Sequence, residues 1–248
     1  MERSPLISIV TVTYNAGHCL RKTMESVARQ DFKDYEHLIV DGASKDDTLK
    51  IAEEYQGPNL RVVSEPDKGL YDAMNKGLRL AKGKYILFLN AGDSFSGDSV
   101  LSLYGKEAQN DMDIIYADTQ IVDSSGKIIG PRHLSAPRKL TPKSFSKGML
   151  ICHQAFMVKK SLAPLYDLSY CFSSDYDWCV KCIANSKRDK SVNLDCVAIN
   201  YLSDGLTDNN KIASLKERFR IMCRNYGFFP TLANHILFCG RALKRRFL

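Results

Sequence analysis

The first 120 residues alternate between two hydrophobic periods. LISIVTVTY (6–14) is apolar and β-branched at nearly every position, the pattern of a strand buried on both faces. Leu20, Met24 and Val27 then share one helical stripe, which predicts a helix over about 18–30. HLIVDG (37–42) reads as a second strand, and Asp46 or Asp47 is placed to cap a helix over 48–55. LRVVSE (60–65) is a third strand, and Met74, Leu78 and Ala81 predict a helix over 70–81. YILFLN (85–90), a helix over 98–110 and DIIYAD (113–118) complete the run. Strand alternating with helix predicts an α/β fold, a parallel sheet covered on both faces. Ligands of such sheets bind outside the carboxyl ends of the strands. The acids fall there: Asp41 ends the second strand, Asp67 follows the third and Asp93 follows the fourth.

Beyond residue 118 the rhythm changes. IVDSSGKII (121–129) predicts a hairpin, and 130–147 is a loop rich in Pro, Lys, Arg and Ser. MLICHQAFMV (149–158) predicts a strand, followed by a helix over 174–184 and a strand near 192–202. Two helices close the chain: 212–226, with Ile212, Leu215, Phe219 and Met222 on one side, and about 231–247. No linker composition interrupts the series. The expected organisation is one domain over 1–205, with halves 1–120 and 121–205, and a helical extension over 206–248.

Composition narrows the class. With 44% hydrophobic and 25% charged residues, the 248-residue chain is globular rather than disordered or fibrous. The eight cysteines form no two spaced pairs. The single C-x-x-C, Cys179 and Cys182, lies on a helical pattern without the further ligands zinc needs. Free buried thiols in a reducing compartment are expected. The apolar start reads as a first strand rather than a signal peptide, and the uncharged run from Gly227 to Gly240 is too short to span a bilayer. These features lead to a cytoplasmic expectation.

The net charge of +7 is unevenly spread. Residues 124–160 carry eight Lys/Arg and no acid, and residues 211–248 carry nine Lys/Arg and one Glu. Two basic segments on an otherwise acidic body suit a polyanionic partner, or are two solvated faces.

Several chemistries are excluded by missing motifs. There is no G-x-x-x-x-G-K-[ST], and the turn after the first strand lacks G-x-G-x-x-G, which argues against P-loop and dinucleotide-dehydrogenase chemistry. Asp93, after Asn90-Ala91-Gly92, reads as a ligand for a hard divalent cation or as a helix cap.

SIVTVTYNAGHCLRKTMESVARQDFKDYEHLIVDGASKDDT (8–48) and EPDKGLYDAMNKGLRLAKGKYILFLNAGD (65–93) resemble family 2 of the inverting glycosyltransferases. Among these the chain is most similar to bacterial members that build exopolysaccharide, capsule or O-antigen. The resemblance is strong over 6–120, weaker over 149–185, and absent beyond 205. It implies a GT-A fold, a Rossmann-like, mostly parallel sheet, and transfer of a sugar from a nucleotide diphosphate donor, UDP-linked by expectation. It further implies that Thr13, Tyr14 and Asn15 line the nucleotide pocket, that Asp41 and Asp67 meet the base, and that Asn75 lies near the nucleotide. The family's D-x-D signature corresponds here to Asn90-Ala91-Gly92-Asp93. Asn90 is then expected on a ribose hydroxyl, Gly92 where the diphosphate nears the backbone, and Asp93 on Mn2+ or Mg2+. The family's Arg before Asn75 is Met74 here, leaving Lys68 or Lys76 to supply that charge.

Inversion by single displacement needs a base to take the proton of the attacking hydroxyl. The resemblance assigns that role to Asp175 of Ser173-Ser174-Asp175-Tyr176-Asp177, with Asp177 second. At i and i+2 on a helix the two acids point about 200° apart, so only one can face the cleft. His153 is implied near the donor diphosphate or the acceptor. Acceptors in such pathways are glycans or lipid-linked diphosphates. The basic loop 130–147 is accordingly expected as a mobile cover. The C-terminal stretch, with Leu232, Ile236, Cys239, Leu243, Arg241, Lys244, Arg245 and Arg246, is expected on an anionic membrane face or packed as a terminal helix. A nucleotide-sugar-binding module without turnover is the alternative reading. Nucleic acid is not an expected partner, because no recognition motif or aromatic platform is present.

Overall fold

A computed structural model describes residues 4–203 and 211–246, with side chains as far as Phe238. Its centre is one mixed sheet in the order β3-β2-β1-β4-β8-β6-β9-β5, with β7 paired to β6. The strands are β1 (Ile7–Thr13), β2 (Tyr35–Asp41), β3 (Leu60–Ser64), β4 (Tyr85–Phe88), β5 (Ser94–Phe95), β6 (Ile114–Val122), β7 (Ile128–Pro131), β8 (Phe156–Lys159) and β9 (Ser191–Leu202). β3, β2, β1 and β4 are parallel neighbours. β8 runs against both β4 and β6, and β9 runs with β6. Six strands therefore share one direction, and β1, β2, β3, β4, β6 and β9 all end on the same edge.

Alternation along β1 divides the core. Val10 and Val12 point to one side, with Met74 and Leu78 of α3 (Leu70–Leu80) and Trp178 of α5 (Ser174–Asn185). Ile7 and Ile9 point to the other, with Leu101 and Tyr104 of α4 (Val100–Gln109). α1 (Leu20–Ala28) buries Leu20, Met24 and Val27, the stripe its spacing predicts. It packs beside α2 (Thr48–Glu53). α6 (Lys211–Tyr226) and α7 (Phe228–Arg246) fold back on each other at Gly227 (φ +87°).

Three expectations differ from the structure. The strand over 149–158 is only Phe156–Lys159, because His153–Ala155 forms a 3-10 turn that aims His153 and Gln154 inward. The basic segment 130–147, expected as a mobile cover, is anchored on the body at several points. Phe145 is fully buried, Tyr176 donates its hydroxyl to the Phe145 carbonyl (2.6 Å), and Tyr116 does the same to Pro137 (2.8 Å). The α6 stripe is only half interior, since Met222 is buried while Ile212 and Leu215 face solvent.

Close helix–strand approach also depends on Gly77. A Cβ there would stand 2.6 Å from Val10 Cγ1, and the neighbouring surface is fully packed. Gly77→Ala is expected to cost about 1–3 kcal/mol through overpacking of α3 on β1, measured by urea unfolding. An unchanged midpoint would show that α3 can move away freely.

Candidate active site

The shared strand ends place the acids on one edge, in two different roles. Asp41, fully buried at the end of β2, accepts hydrogen bonds from Thr13 Oγ1 (3.0 Å), the Ser44 N–H (2.9 Å), the Ser44 hydroxyl and Ser64 Oγ (2.7 Å). Burial alone would raise its pKa, but the bonds from Ser44, Ser64 and Thr13 outweigh that and hold the carboxyl below its ordinary value. Asp41 and Thr13 thus organise the floor of the pocket rather than face its occupant. Asn15, in the left-handed region (φ +48°), ties the loop after β1 to the loop after β2. Its N–H donates to Ser44 Oγ (2.8 Å) and its side-chain oxygen accepts from the Lys45 N–H (2.9 Å).

Above this floor sit the groups that are open. The Tyr14 ring is 67% exposed at the end of β1. Gly42 follows β2, and a Cβ there would lie 2.4 Å from Asp67 Oδ2 and 3.2 Å from the Tyr14 ring. The missing side chain at 42 therefore lets Asp67 and Tyr14 close on one spot. Asp67 keeps its orientation because Oδ1 accepts from the Gly69 N–H (2.8 Å). An aromatic face beside an outward carboxylate is a fitting surface for a base with an N–H edge. Gly42 has no motif of its own, and only the spacing between 42 and 67 in the folded chain reveals its part.

The turn after β4 is built inward. Gly92 adopts φ +96°, donates its N–H to Thr23 Oγ1 (2.9 Å), and leaves room for Leu202, whose Cδ2 would lie 2.8 Å from a Cβ. That space is filled by Leu202 and is not open for a diphosphate. Asp93 follows and is only 4% exposed. Its Oδ1 accepts from the Leu202 N–H (2.9 Å) and its Oδ2 from Gln154 Nε2 (2.9 Å). Burial pushes the Asp93 carboxyl up to about 7 against the pull of those two bonds. Both oxygens are engaged by donors, and no three His, Cys, Asp or Glu converge as a ligand set among the described residues. Asp93 therefore does not fit the metal ligand expected of it. Asn90 differs: its side-chain oxygen is buried at the turn and has no protein partner, an acceptor site left open to a hydroxyl.

The far wall is set by α5. Asp175 is half-buried and accepts a hydrogen bond from Tyr71 Oη (3.3 Å) on α3. Burial, then the neighbouring Asp175, holds the Tyr71 phenol well above its ordinary value, so it remains a donor. Asp177 points into the protein and is ion-paired with Lys181 (2.5 Å). Of the two candidate acids, Asp175 is the one left partly exposed. His153 is buried with its Nε2 unpartnered, its ring against Phe88 (6.1 Å); burial lowers its pKa while Asp175 opposes the shift. Tyr201, at the end of β9, feels the charges of both Asp93 and Asp175, as well as Arg132.

Two residues have other duties than the sequence suggests. Asn75 is buried and clamps the main chain of Tyr166, donating to its carbonyl (3.0 Å) and accepting from its N–H (2.7 Å). Its side chain is not available to a nucleotide. It holds Tyr166 in a stack between Tyr71 (5.7 Å) and Trp178 (5.0 Å). Lys76 is engaged by Glu65 (3.0 Å) and the Pro66 carbonyl (2.6 Å). Conversely, Glu217 of α6 was not legible as a site residue. Its carboxylate accepts the N–H groups of Cys171 (2.8 Å), Phe172 (2.8 Å) and Ser173 (3.0 Å), immediately before Asp175.

Comparison with known proteins agrees with this geometry. The family model described as glycosyl transferase family 2 matches residues 8–163. A PGL/p-HBAD biosynthesis glycosyltransferase of Mycobacterium tuberculosis is 32% identical over 190 residues, 73% of this chain and 71% of that relative. An uncharacterized glycosyltransferase of Methanocaldococcus jannaschii is 33% identical over 194 residues, 74% of this chain and 67% of that relative. Among solved structures, residues 1–349 of S. aureus TarS superpose with TM-score 0.72 at 17% identity, covering 94% of this chain and 72% of that one. Mannosyltransferase PcManGT from Pyrobaculum calidifontis, solved with GDP-Man and Mn2+, superposes with TM-score 0.66 at 16% identity, covering 94% and 70%. The fold is GT-A.

Two outcomes test the site. Asp93 binds its proton more tightly in the fold (about 7) than in the ordinary carboxylate (3.8), so its burial costs stability that grows as pH rises through that window. Asp93→Asn is expected to gain on the wild type between pH 4 and pH 8 by on the order of 3 kcal/mol in urea melts, whatever its constant offset from the altered hydrogen bonds. A pH-independent difference would refute a proton held there. Glu217→Ala is expected to lower kcat about tenfold with the donor KM within about twofold, and Glu217→Gln to recover part of the loss, if the clamp positions Asp175.

Proposed function

The chain belongs to glycosyl transferase family 2, and on that footing we propose that it transfers a sugar with inversion from a nucleotide diphosphate donor, UDP-linked, to a hydroxyl of a glycan or lipid-linked acceptor. The acceptor pathway is surface polysaccharide or glycolipid synthesis at the cytoplasmic side. The observation that carries the reading is a pair of partly exposed carboxylates, Asp67 beside Tyr14, and Asp175 held by Tyr71 of α3, the helix that opens three residues after Asp67.

The base of the donor lies on the Tyr14 ring, with its N–H edge on Asp67, and a ribose hydroxyl donates to the open Asn90 oxygen. This brings the sugar toward His153, Tyr201 and Asp175. The acceptor oxygen attacks C1 from the Asp175 side and gives its proton to that carboxylate. As the new C1–O bond forms, the C1–O bond to the diphosphate breaks and its electron pair leaves with the nucleotide. Tyr71 keeps Asp175 aimed by its hydrogen bond.

Solved relatives in fold bind UDP-GlcNAc and, in another case, GDP-Man with Mn2+. Here no step is routed through a cation, because Asp93 is closed to one. Positive charge toward the leaving diphosphate is assigned to Arg132. Its guanidinium is anchored on the carbonyls of Met149 (2.7 Å) and Leu150 (3.3 Å), and its charge reaches Cys152 and Tyr201. The closed state of Asp93 also favours a second reading, a nucleotide-sugar-binding module without turnover.

Asp175→Asn separates these readings. Donor hydrolysis or transfer is expected to fall by about 10²–10⁴-fold, while UDP binding, followed by thermal shift, stays at the wild-type level. Nucleotide binding by the wild type with no turnover of UDP- or GDP-sugars, with or without Mn2+, would establish the binding module instead. A larger thermal shift with GDP than with UDP would overturn the donor assignment.

A further inference from the structure

We propose that the outward face of the α6–α7 hairpin is a docking surface for an anionic lipid bilayer. The hairpin carries more apolar surface than the core covers. Inward, Ile221, Met222 and Thr231 are fully buried, and Phe238 packs on the main core. Outward, Ile212 (72% exposed), Leu215, Phe228, Phe229 (80%), Ile236 (65%) and Leu237 are exposed to solvent. Phe219 joins the two halves of this face, touching Phe228 (6.1 Å) and His235 (4.9 Å). Folding leaves scattered apolar residues on any surface, but a contiguous face with two exposed phenylalanines marks an interaction site.

Charge selects the occupant. Lys216, Arg220 and Arg224 follow one another at i, i+4 and i+8, a basic ridge beside the apolar face. Lys216 and Arg220 line an open groove of about 330 Å3 with Ile212, Leu215 and Phe219. The one acid between 211 and 248, Glu217, is turned inward onto Cys171, Phe172 and Ser173. The outward face thus has no counter-charge of its own. A second copy would set ridge against ridge, like charge on like. An interfacial bilayer surface supplies both missing partners, acyl chains for the aromatic and aliphatic side chains and anionic headgroups for the ridge. No helix among the described residues is long and apolar enough to cross a membrane, so the hairpin lies on the surface. Because Glu217 ties α6 to the segment before Asp175, docking would also fix that wall of the cleft relative to the lipid.

The test is co-sedimentation of the full chain with phosphatidylcholine vesicles, with and without phosphatidylglycerol. Binding is expected only with phosphatidylglycerol, and it should weaken with added salt. Lys216→Glu with Arg220→Glu should lose at least about 25-fold, about fivefold per cancelled charge. Phe229→Ser with Ile236→Ser should lose more than about tenfold, with an unchanged melting temperature because both side chains are exposed. Absence of vesicle binding by the wild type would overturn the proposal. Binding insensitive to both double variants would do the same. So would a dimer that the Phe229/Ile236 variant converts to monomer without any vesicle binding, since the face would then join copies of the chain. The readout is lipid binding alone, so it stands apart from the outcome for sugar transfer.

Discussion

One carboxylate shut away from water ties the cleft together. Asp93 takes the N–H of Leu202 from the end of β9 and the amide of Gln154 from the turn before β8, while its own N–H closes the turn on the Asn90 carbonyl. Three segments remote in sequence thereby share one anchor. Its bonds hold the turn that carries Asn90 and fix the turn that carries His153. The cost of desolvating a carboxyl is met by two directed donors and by a proton held near neutrality.

That arrangement also limits negative charge where a diphosphate must lie. Four acids stand on one edge of the sheet, and four bare carboxylates would repel a nucleotide. The Asp41 charge is solvated by hydroxyl and backbone donors, and that of Asp93 is suppressed by burial and its raised pKa. Asp67 and Asp175 remain as carboxylates open to solvent in part. The same side chain, an acid, is a buried floor at Asp41 and a buried anchor at Asp93 according to the donors around it. Arg132 is anchored by its guanidinium on the carbonyls of Met149 and Leu150.

The C-terminal hairpin joins these interior constraints to the exterior. Its inner side closes the main core and caps the approach to α5 through Glu217. Its outer side stays apolar and exposed among the described residues. An exposed apolar face beside a basic ridge has more hydrophobic surface than the fold requires, which is why a partner outside the chain accounts for it best.

The sequence by itself determined the alternation of strand and helix and the sheet edge on which Asp41, Asp67 and Asp93 sit. These follow from period and from motifs that are local in the chain, where hydrophobic spacing and turn chemistry act over a few residues. Only the tertiary structure decided which acids face solvent. Asp93 and Asp175 look alike as strand-end and helix-start acids, yet one meets Leu202 and Gln154 while the other meets Tyr71. Asn75 was read toward the nucleotide and instead grips Tyr166, 91 residues away. Gly42 and Glu217 carried no signal at all, since each matters only through a residue brought beside it by folding. Orientation is set by long-range hydrogen bonding and packing, and no local pattern encodes where a side chain's distant partner will be.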